Sequence, residues 1–247
     1  MELVRNKVVM VTGGAGSIGL ACAIMLAQNG ADSVYLVDIK DIETIVAQKQ
    51  IEQYCPSLCI MQDVSDEAGV DRVFDIVSQN GHTIDILVCA AGIYTTTNTF
   101  ETSMEDWDNV MNVNLKGTFL YARRALQTMS AQTGGSIIIF ASTAGQAGDI
   151  RTGPDYAASK AGILGLTKSL AKLGAPGNVR VNCISPGIVK TPASAAKDVA
   201  LAADEAPLGR IAAPEDIANA ALFLASDMSS CITGETINVN SGMLMSS

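Results

Sequence analysis

The chain is poor in the residues that most often build metal or redox centres. Its 247 residues include one histidine and one tryptophan, and only 4% are aromatic. His82 alone cannot supply the several spaced nitrogen or thiolate ligands of a zinc site, and no metal is expected. The cysteines stand apart at 22, 55, 59, 89, 183 and 231 with no C-x-x-C pair. Positive charge is also scarce. Sixteen Lys and Arg face 25 Asp and Glu, a net charge of −9 with no basic cluster, which excludes the concentrated positive surface that nucleic acid requires. No apolar run reaches the ~18 residues of a membrane span. Residues 1–7 carry mixed charges and no long apolar stretch, so no signal peptide is expected. Several cysteines lie inside apolar runs (Val88-Cys89-Ala90, Val181-Asn182-Cys183), where a free thiol behaves as a small hydrophobe. A cytoplasmic location is the expectation.

What is present is enough apolar material for a core. Hydrophobic residues make up 48% and charged residues 17%, which excludes a disordered chain. The length fits one large α/β domain over residues 1–247, with a first half to about 135 and a second from about 136. Short β-branched apolar runs at 7–12, 33–37, 58–62, 84–90, 136–141, 179–184 and 236–240 read as strands. Helical period occupies 17–29, 42–54, 67–80, a long stretch over 103–130, then 155–173 and 214–226. The strands are near-continuous apolar runs, as in a parallel sheet covered by helices on both faces. Alternating βα units with right-handed crossovers predict a doubly wound, Rossmann-like α/β fold. Residues 192–207, rich in alanine and bounded by prolines, break the rhythm and suggest a mobile helical flap. Residues 145–155 are expected to be loop.

Three motifs carry chemistry. Thr12-Gly13-Gly14-Ala15-Gly16-Ser17-Ile18-Gly19 joins the first strand to the first helix and contains G-x-G-x-x-G. Glycines let backbone approach a pyrophosphate, and the helix N-terminus presents free N–H groups with a positive dipole end. Asp38 closes the second strand about 20 residues on, where a carboxylate accepts from a ribose 2′-hydroxyl and repels a 2′-phosphate. NAD is therefore expected over NADP, although Lys40 lies close by. Asp63-Val64 ends the third strand, at the edge where such sheets bind ligands. Tyr156-Ala-Ala-Ser-Lys160 places a phenol and an ammonium four residues apart on one helix face. A tyrosine pKa near 10 is too high for a base at neutral pH, and a neighbouring ammonium favours phenolate. Such i,i+4 pairs also arise on many helices without function.

Taken together in order and spacing, Thr12–Gly19, Asp63, Ala91-Gly92, Asn112-Val113-Asn114, Ser142, Tyr156-x-x-x-Lys160, Pro186-Gly187-x-x-x-Thr191, Pro207-Leu208-Gly209-Arg210, Pro214-Glu215-Asp216-Ile217-Ala218 and Ile232-Thr233-Gly234 resemble the classical short-chain dehydrogenase/reductase family over nearly the whole chain. The resemblance implies that Tyr156 is the acid/base, and that Lys160 holds the nicotinamide ribose and lowers the Tyr156 pKa. It implies that Ser142 orients the substrate oxygen and that Asn114 holds a water linking Lys160 to solvent. The Val189 backbone and Thr191 would fix the carboxamide. Gly13, Ser17, Ile18, Gly19, Asp38, Asp63, Val64, Ala90, Gly92 and Gly187 complete the implied cofactor contacts. Three departures stand out. Ser17 replaces a family glycine and is expected to cap the helix. Cys89-Ala90 replaces the usual asparagine-bearing pair, which puts local stability there in doubt. The spacing from Ser142 to Tyr156 is one residue longer than the commonest.

The expected activity is NAD(H)-dependent interconversion of a secondary alcohol and a ketone. A 3-oxoacyl-thioester reductase is the alternative, and a non-catalytic nucleotide-binding protein a more distant one. Carrier-using relatives place arginines where this chain has Thr133 and Gly177, and an acidic surface repels an acidic carrier. Remaining features read plainly. His82 is a surface loop residue and Trp107 packs on the long helix. Ala161, Ile163, Leu164, Leu166 and Leu170 are taken to form apolar faces beyond what the sheet covers, and these predict a homotetramer helped by Leu244-Met245.

Overall fold

The computed structural model describes residues 2–132, 134–191 and 196–245. Thr133 and the first residues of the expected flap, 192–195, lie outside them. Seven strands form one parallel sheet: β1 (Val8–Thr12), β2 (Ser33–Asp38), β3 (Ser57–Met61), β4 (Ile86–Cys89), β5 (Gly135–Phe140), β6 (Val179–Pro186) and β7 (Thr236–Val239), in the order β3-β2-β1-β4-β5-β6-β7. The order reverses between β1 and β4, where Thr12 pairs with Cys89. The chain leaves these two strands in opposite directions and opens a crevice at their carboxyl ends.

Alternate residues of the strands feed two cores. Met10, Leu87, Cys89, Ile137 and Ile139 face α3 (Glu67–Gln79), α5 (Thr118–Ala131) and α7 (Pro154–Gly174). Val9, Val11, Val88, Ile138 and Phe140 face α1 (Ser17–Gln28), α2 (Asp41–Ile51) and α9 (Pro214–Ala225). Burial on both faces explains why the strands are unbroken apolar runs rather than alternating ones. Remaining helices are α4 (Met104–Val110), α6 (Thr143–Ala147) and α8 (Ala196–Glu205), the last within the expected flap. Among the described residues no helix is long and apolar enough to cross a membrane.

Several expectations are corrected. The long helix is α4 and α5 joined by a π-helical turn at Met111–Gly117. Residues 145–155 are not wholly loop, because α6 begins at Thr143 and packs on α7. A Cβ on Gly145 would lie 2.5 Å from the Lys160 carbonyl carbon, so only glycine allows that approach. Ser17 does not cap α1. Gly16 occupies the capping position with no side-chain acceptor, which leaves the first N–H groups of the helix open. Ile163 and Leu170 are wholly inside the sheet-facing core rather than on an outer face, while Ala161 is exposed and Leu164 and Leu166 are half-buried. His82 has partners: its Nδ1 lies 2.7 Å from the Tyr35 hydroxyl and 3.3 Å from Ser33 Oγ, and its Nε2 lies 3.8 Å from Asp32. Cys89 is buried in the core, with its thiol pushed up to about 12 by desolvation.

Candidate active site

The glycine loop folds back on the sheet. Gly13 and Gly14 donate from their backbone N–H to Val37 O at 2.8 and 3.3 Å, and Gly16 N–H donates to Gly13 O. Gly13 has φ +68°, and a Cβ there would lie 2.6 Å from Ala91 N; a Cβ on Gly19 would lie 2.2 Å from Gly13 O. The bare backbone makes a cradle ahead of the open N-terminus of α1, which suits a pyrophosphate. Asp38 is bound to the same loop. One carboxylate oxygen accepts from Ala15 N–H at 3.0 Å, the other from Ile39 and Lys40 N–H at 2.8 and 3.2 Å. The Asp38 carboxylate is thereby fixed at the end of β2, where an adenosine ribose of a dinucleotide could be held.

Beyond the carboxyl ends of β4, β5 and β6 lies a cleft of about 530 Å³. Ile18, Ala90, Gly92, Ser142, Tyr156, Lys160, Gly187, Val189 and Thr191 all line it, so residues far apart in the chain converge there. Gly13 in the glycine loop, Ser17 and Gly19 in the first turn of α1, and Asp38 at the end of β2 lie outside its lining. Asp63 and Val64 also stand outside it. Asp63 accepts from Ser65 N–H and Oγ, both at 2.8 Å, and the Val64 side chain is buried in the core against Gly117.

Ser142 caps α6, its Oγ accepting from Ala144 N–H at 3.2 Å, and it lines the cleft together with Tyr156. The phenol does not carry the lowered pKa expected from its lysine neighbour. Burial raises it above the ordinary value, the Ser142 side chain pulls it back, and Asp149 and Tyr94 add to the rise. Lys160 Nζ sits 5.7 Å from the Tyr156 ring centroid and donates to Phe140 O at 2.8 Å. That ammonium is buried, and desolvation drives its pKa from 10.5 down to about 8.

Asn114 falls in the π turn and is fully buried. Its Oδ1 accepts from Ile93 N–H at 2.8 Å, while its Nδ2 donates to Ile93 O at 2.8 Å and to Ser159 Oγ at 3.0 Å. The side chain thus clamps the segment after β4 to α7. A second clamp was not legible in the sequence. Asp155, with no exposed surface, accepts from Tyr156 N–H at 2.8 Å and from Thr95 Oγ1 at 2.9 Å, and Gly153 N–H donates to Thr95 O. An acid in the first turn of a helix is ordinary, so nothing marks Asp155 as a brace. At the mouth, Arg151 reaches Glu205 of α8 at 3.3 Å and ties the flap helix to the rim of the cleft.

Comparison with known proteins bears on this arrangement. Residues 13–244 match the profile of a family described as "Enoyl-(Acyl carrier protein) reductase". A 3-oxoacyl-[acyl-carrier-protein] reductase of Thermotoga maritima is 36% identical over 253 residues, covering 98% of this chain and 99% of its own. A crystal structure of NAD⁺-bound xylitol dehydrogenase superposes with a TM-score of 0.90 at 28% identity, over 97% of this chain and 99% of that one. A 3-oxoacyl-[acyl-carrier protein] reductase with bound NAD from Brucella melitensis superposes with a TM-score of 0.91 at 29% identity, over 99% and 94%.

The buried lysine sets a pH dependence of stability. Below pH 8 Lys160 is charged in both folded and unfolded chains, and folding bears the desolvation cost. Between pH 8 and 10.5 the folded chain has released the proton while the unfolded chain keeps it, so stability rises with pH. Lys160→Met is expected to be more stable than the parent at pH 7 by up to about 3 kcal/mol, less what the Phe140 carbonyl loses with its donor. That advantage should shrink toward pH 10. Urea unfolding of both chains across this range checks it, because the titrations of groups away from Lys160 are common to the two, and Cys89 and Cys183, which do face it, are pushed up to about 12 and about 11 in the folded chain, above this range. A variant advantage that does not change with pH would contradict the assignment.

Proposed function

Because the chain belongs to the short-chain dehydrogenase/reductase family, and is thus an oxidoreductase of carbonyl and hydroxyl groups, we propose that it uses NAD(H) to interconvert a secondary alcohol and a ketone, with Tyr156 as acid/base. The observation that carries this reading is the convergence of Tyr156, Ser142 and Lys160 on one cleft that the glycine cradle adjoins, with Lys160 Nζ 5.7 Å from the Tyr156 ring centroid. When bound, the nicotinamide supplies or accepts the hydride. The chain's own residues handle the oxygen and its proton. Ser142 holds the substrate oxygen against Tyr156. A phenol kept protonated at neutral pH is the form that donates to a ketone oxygen. Oxidation needs the phenolate, which a charged Lys160 favours. Asn114, anchoring the wall beside Lys160 and Gly92, is the residue we assign to supporting a proton path from Lys160 to solvent.

Asp38 supports NAD(H) over NADP(H): its carboxylate repels a 2′-phosphate and already accepts from the Ile39 and Lys40 N–H groups. The NAD-bound structural neighbours agree with this choice. Reduction of a 3-oxoacyl thioester is the second reading, favoured by the similarity to the 3-oxoacyl-[acyl-carrier-protein] reductases from Thermotoga and Brucella. The net charge of −9 weighs against docking of an acidic carrier protein, though not against a coenzyme A thioester. For the assembly we propose a homotetramer, supported by an apolar groove of Met111, Leu115, Phe119, Gly162 and Leu166 on the outer side of the π turn, α5 and α7.

Three measurements test these assignments. Fluorescence titration should show NADH binding at least about tenfold tighter than NADPH, roughly 1.4 kcal/mol; equal or tighter NADPH binding would overturn the assignment and point to Lys40 reaching the phosphate. Tyr156→Phe should lower turnover at least ~100-fold with NADH affinity nearly unchanged, read at the NADH absorbance band with a panel of secondary alcohols and acetoacetyl-coenzyme A. Retained activity would place the acid/base elsewhere. Light scattering should give a mass of about 100 kDa, four times the 25.7 kDa chain, and an active species of single-chain mass would remove the groove from the interface.

A further inference from the structure

Tyr94 is out of keeping with its surroundings. It follows Ile93, whose N–H and C=O are both held by Asn114, and precedes Thr95, whose hydroxyl and C=O are both held by the Asp155 end of α7. Its backbone is therefore pinned on both sides, yet its side chain is 62% exposed. The ring lines the cleft and stands at 70° to the Tyr156 ring, with 6.1 Å between centroids. A large aromatic surface is thus held in place beside the reacting hydroxyl and left uncovered, an arrangement that favours contact with a ligand over packing.

The charged groups of the same cleft are already engaged. Asp149 accepts from Arg151 N–H at 3.0 Å and from Thr152 Oγ1 at 3.5 Å, and the Arg151 guanidinium meets Glu205. Among the described lining residues Tyr94, Ile93, Ile188 and Val199 give the cleft an apolar wall, alongside several threonines and the negative charge of Asp149, which disfavours an anionic substrate. A substrate whose oxygen reaches the Tyr156 hydroxyl lies within contact range of the neighbouring Tyr94 ring. Resting on the proposed alcohol–ketone reading, we infer that Tyr94 is a specificity-determining residue, and that it selects neutral substrates carrying an alicyclic or aromatic ring at or next to the carbinol carbon. A ring of that kind covers the Tyr94 face with little loss of internal freedom, whereas an open chain must be ordered to do so.

The test uses two neutral ketones of six carbons, cyclohexanone and 2-hexanone. Each is titrated by ligand-observed NMR into the NAD⁺-loaded protein, where reduction cannot proceed. Cyclohexanone is expected to bind at least about fivefold tighter than 2-hexanone. Tyr94→Ala should abolish that ratio, while Tyr94→Phe keeps it. With NADH, Tyr94→Ala should raise KM for cyclohexanone and leave kcat within about twofold. Equal binding of the two ketones to the parent, or an unchanged ratio in Tyr94→Ala, would overturn the inference. Ring-selective binding that depends on Tyr94 without any NADH-supported reduction would leave the inference standing and overturn the alcohol–ketone reading instead.

Discussion

One buried amide holds the cleft together. The Asn114 side chain bonds both main-chain groups of Ile93 and the hydroxyl of Ser159, so a single residue joins the π turn, the segment after β4 and the middle of α7. Each of these elements is otherwise positioned by a different part of the sheet. An unpaired N–H or C=O at Ile93 would cost about 1–3 kcal/mol when buried, which makes the clamp hard to give up. Asp155 repeats the device one helical turn earlier on α7, through Tyr156 N–H and Thr95. Between the two clamps the Tyr156 and Lys160 side chains have a fixed floor from which to face the crevice.

The electrostatics of the floor follow from its dryness. Among the described residues no carboxylate pairs with Lys160; its Nζ donates to the Phe140 carbonyl, and the thiols of Cys89 and Cys183 near it are themselves pushed up to about 12 and about 11. An ammonium without a counter-ion sits close to losing its proton, and desolvation is the whole cause of its shift. The same dryness keeps the Tyr156 phenol protonated. Site chemistry and site burial are one property, set by how the sheet edge and the two helices close on each other.

Much of this was legible in the residues. The central strands were readable because burial on both faces writes them as apolar runs, and the glycine loop because only bare backbone makes those approaches. The Tyr156–Lys160 spacing placed both side chains at the cleft. What escaped depends on contacts between distant residues. Asp155 looks like any first-turn acid until Thr95 is brought to it, and the loop residue His82 finds partners, Tyr35 and Ser33, that only the fold brings from β2. Ile163 and Leu170 share a helix with outward residues, and only the register of α7 on the sheet decides which way each faces. The Tyr156 pKa was misjudged because proximity in sequence was weighed without the solvent each group loses.

The π turn carries one residue more than a regular helix needs between Met111 and Gly117. Shedding that residue would give an unbroken α-helix with better backbone bonding. It would also turn everything on one side of the gap by roughly 100° relative to the other. With α5 held by Leu120, Tyr121, Ala122 and Ala125 in the core, the amide of Asn114 would swing off Ile93; with Asn114 held, those four would leave the core. The segment can therefore accept changes of side chain far more readily than a change of length, and the count of residues between Asn114 and Tyr121 acts as a gauge that couples helix phase to the geometry of the cleft.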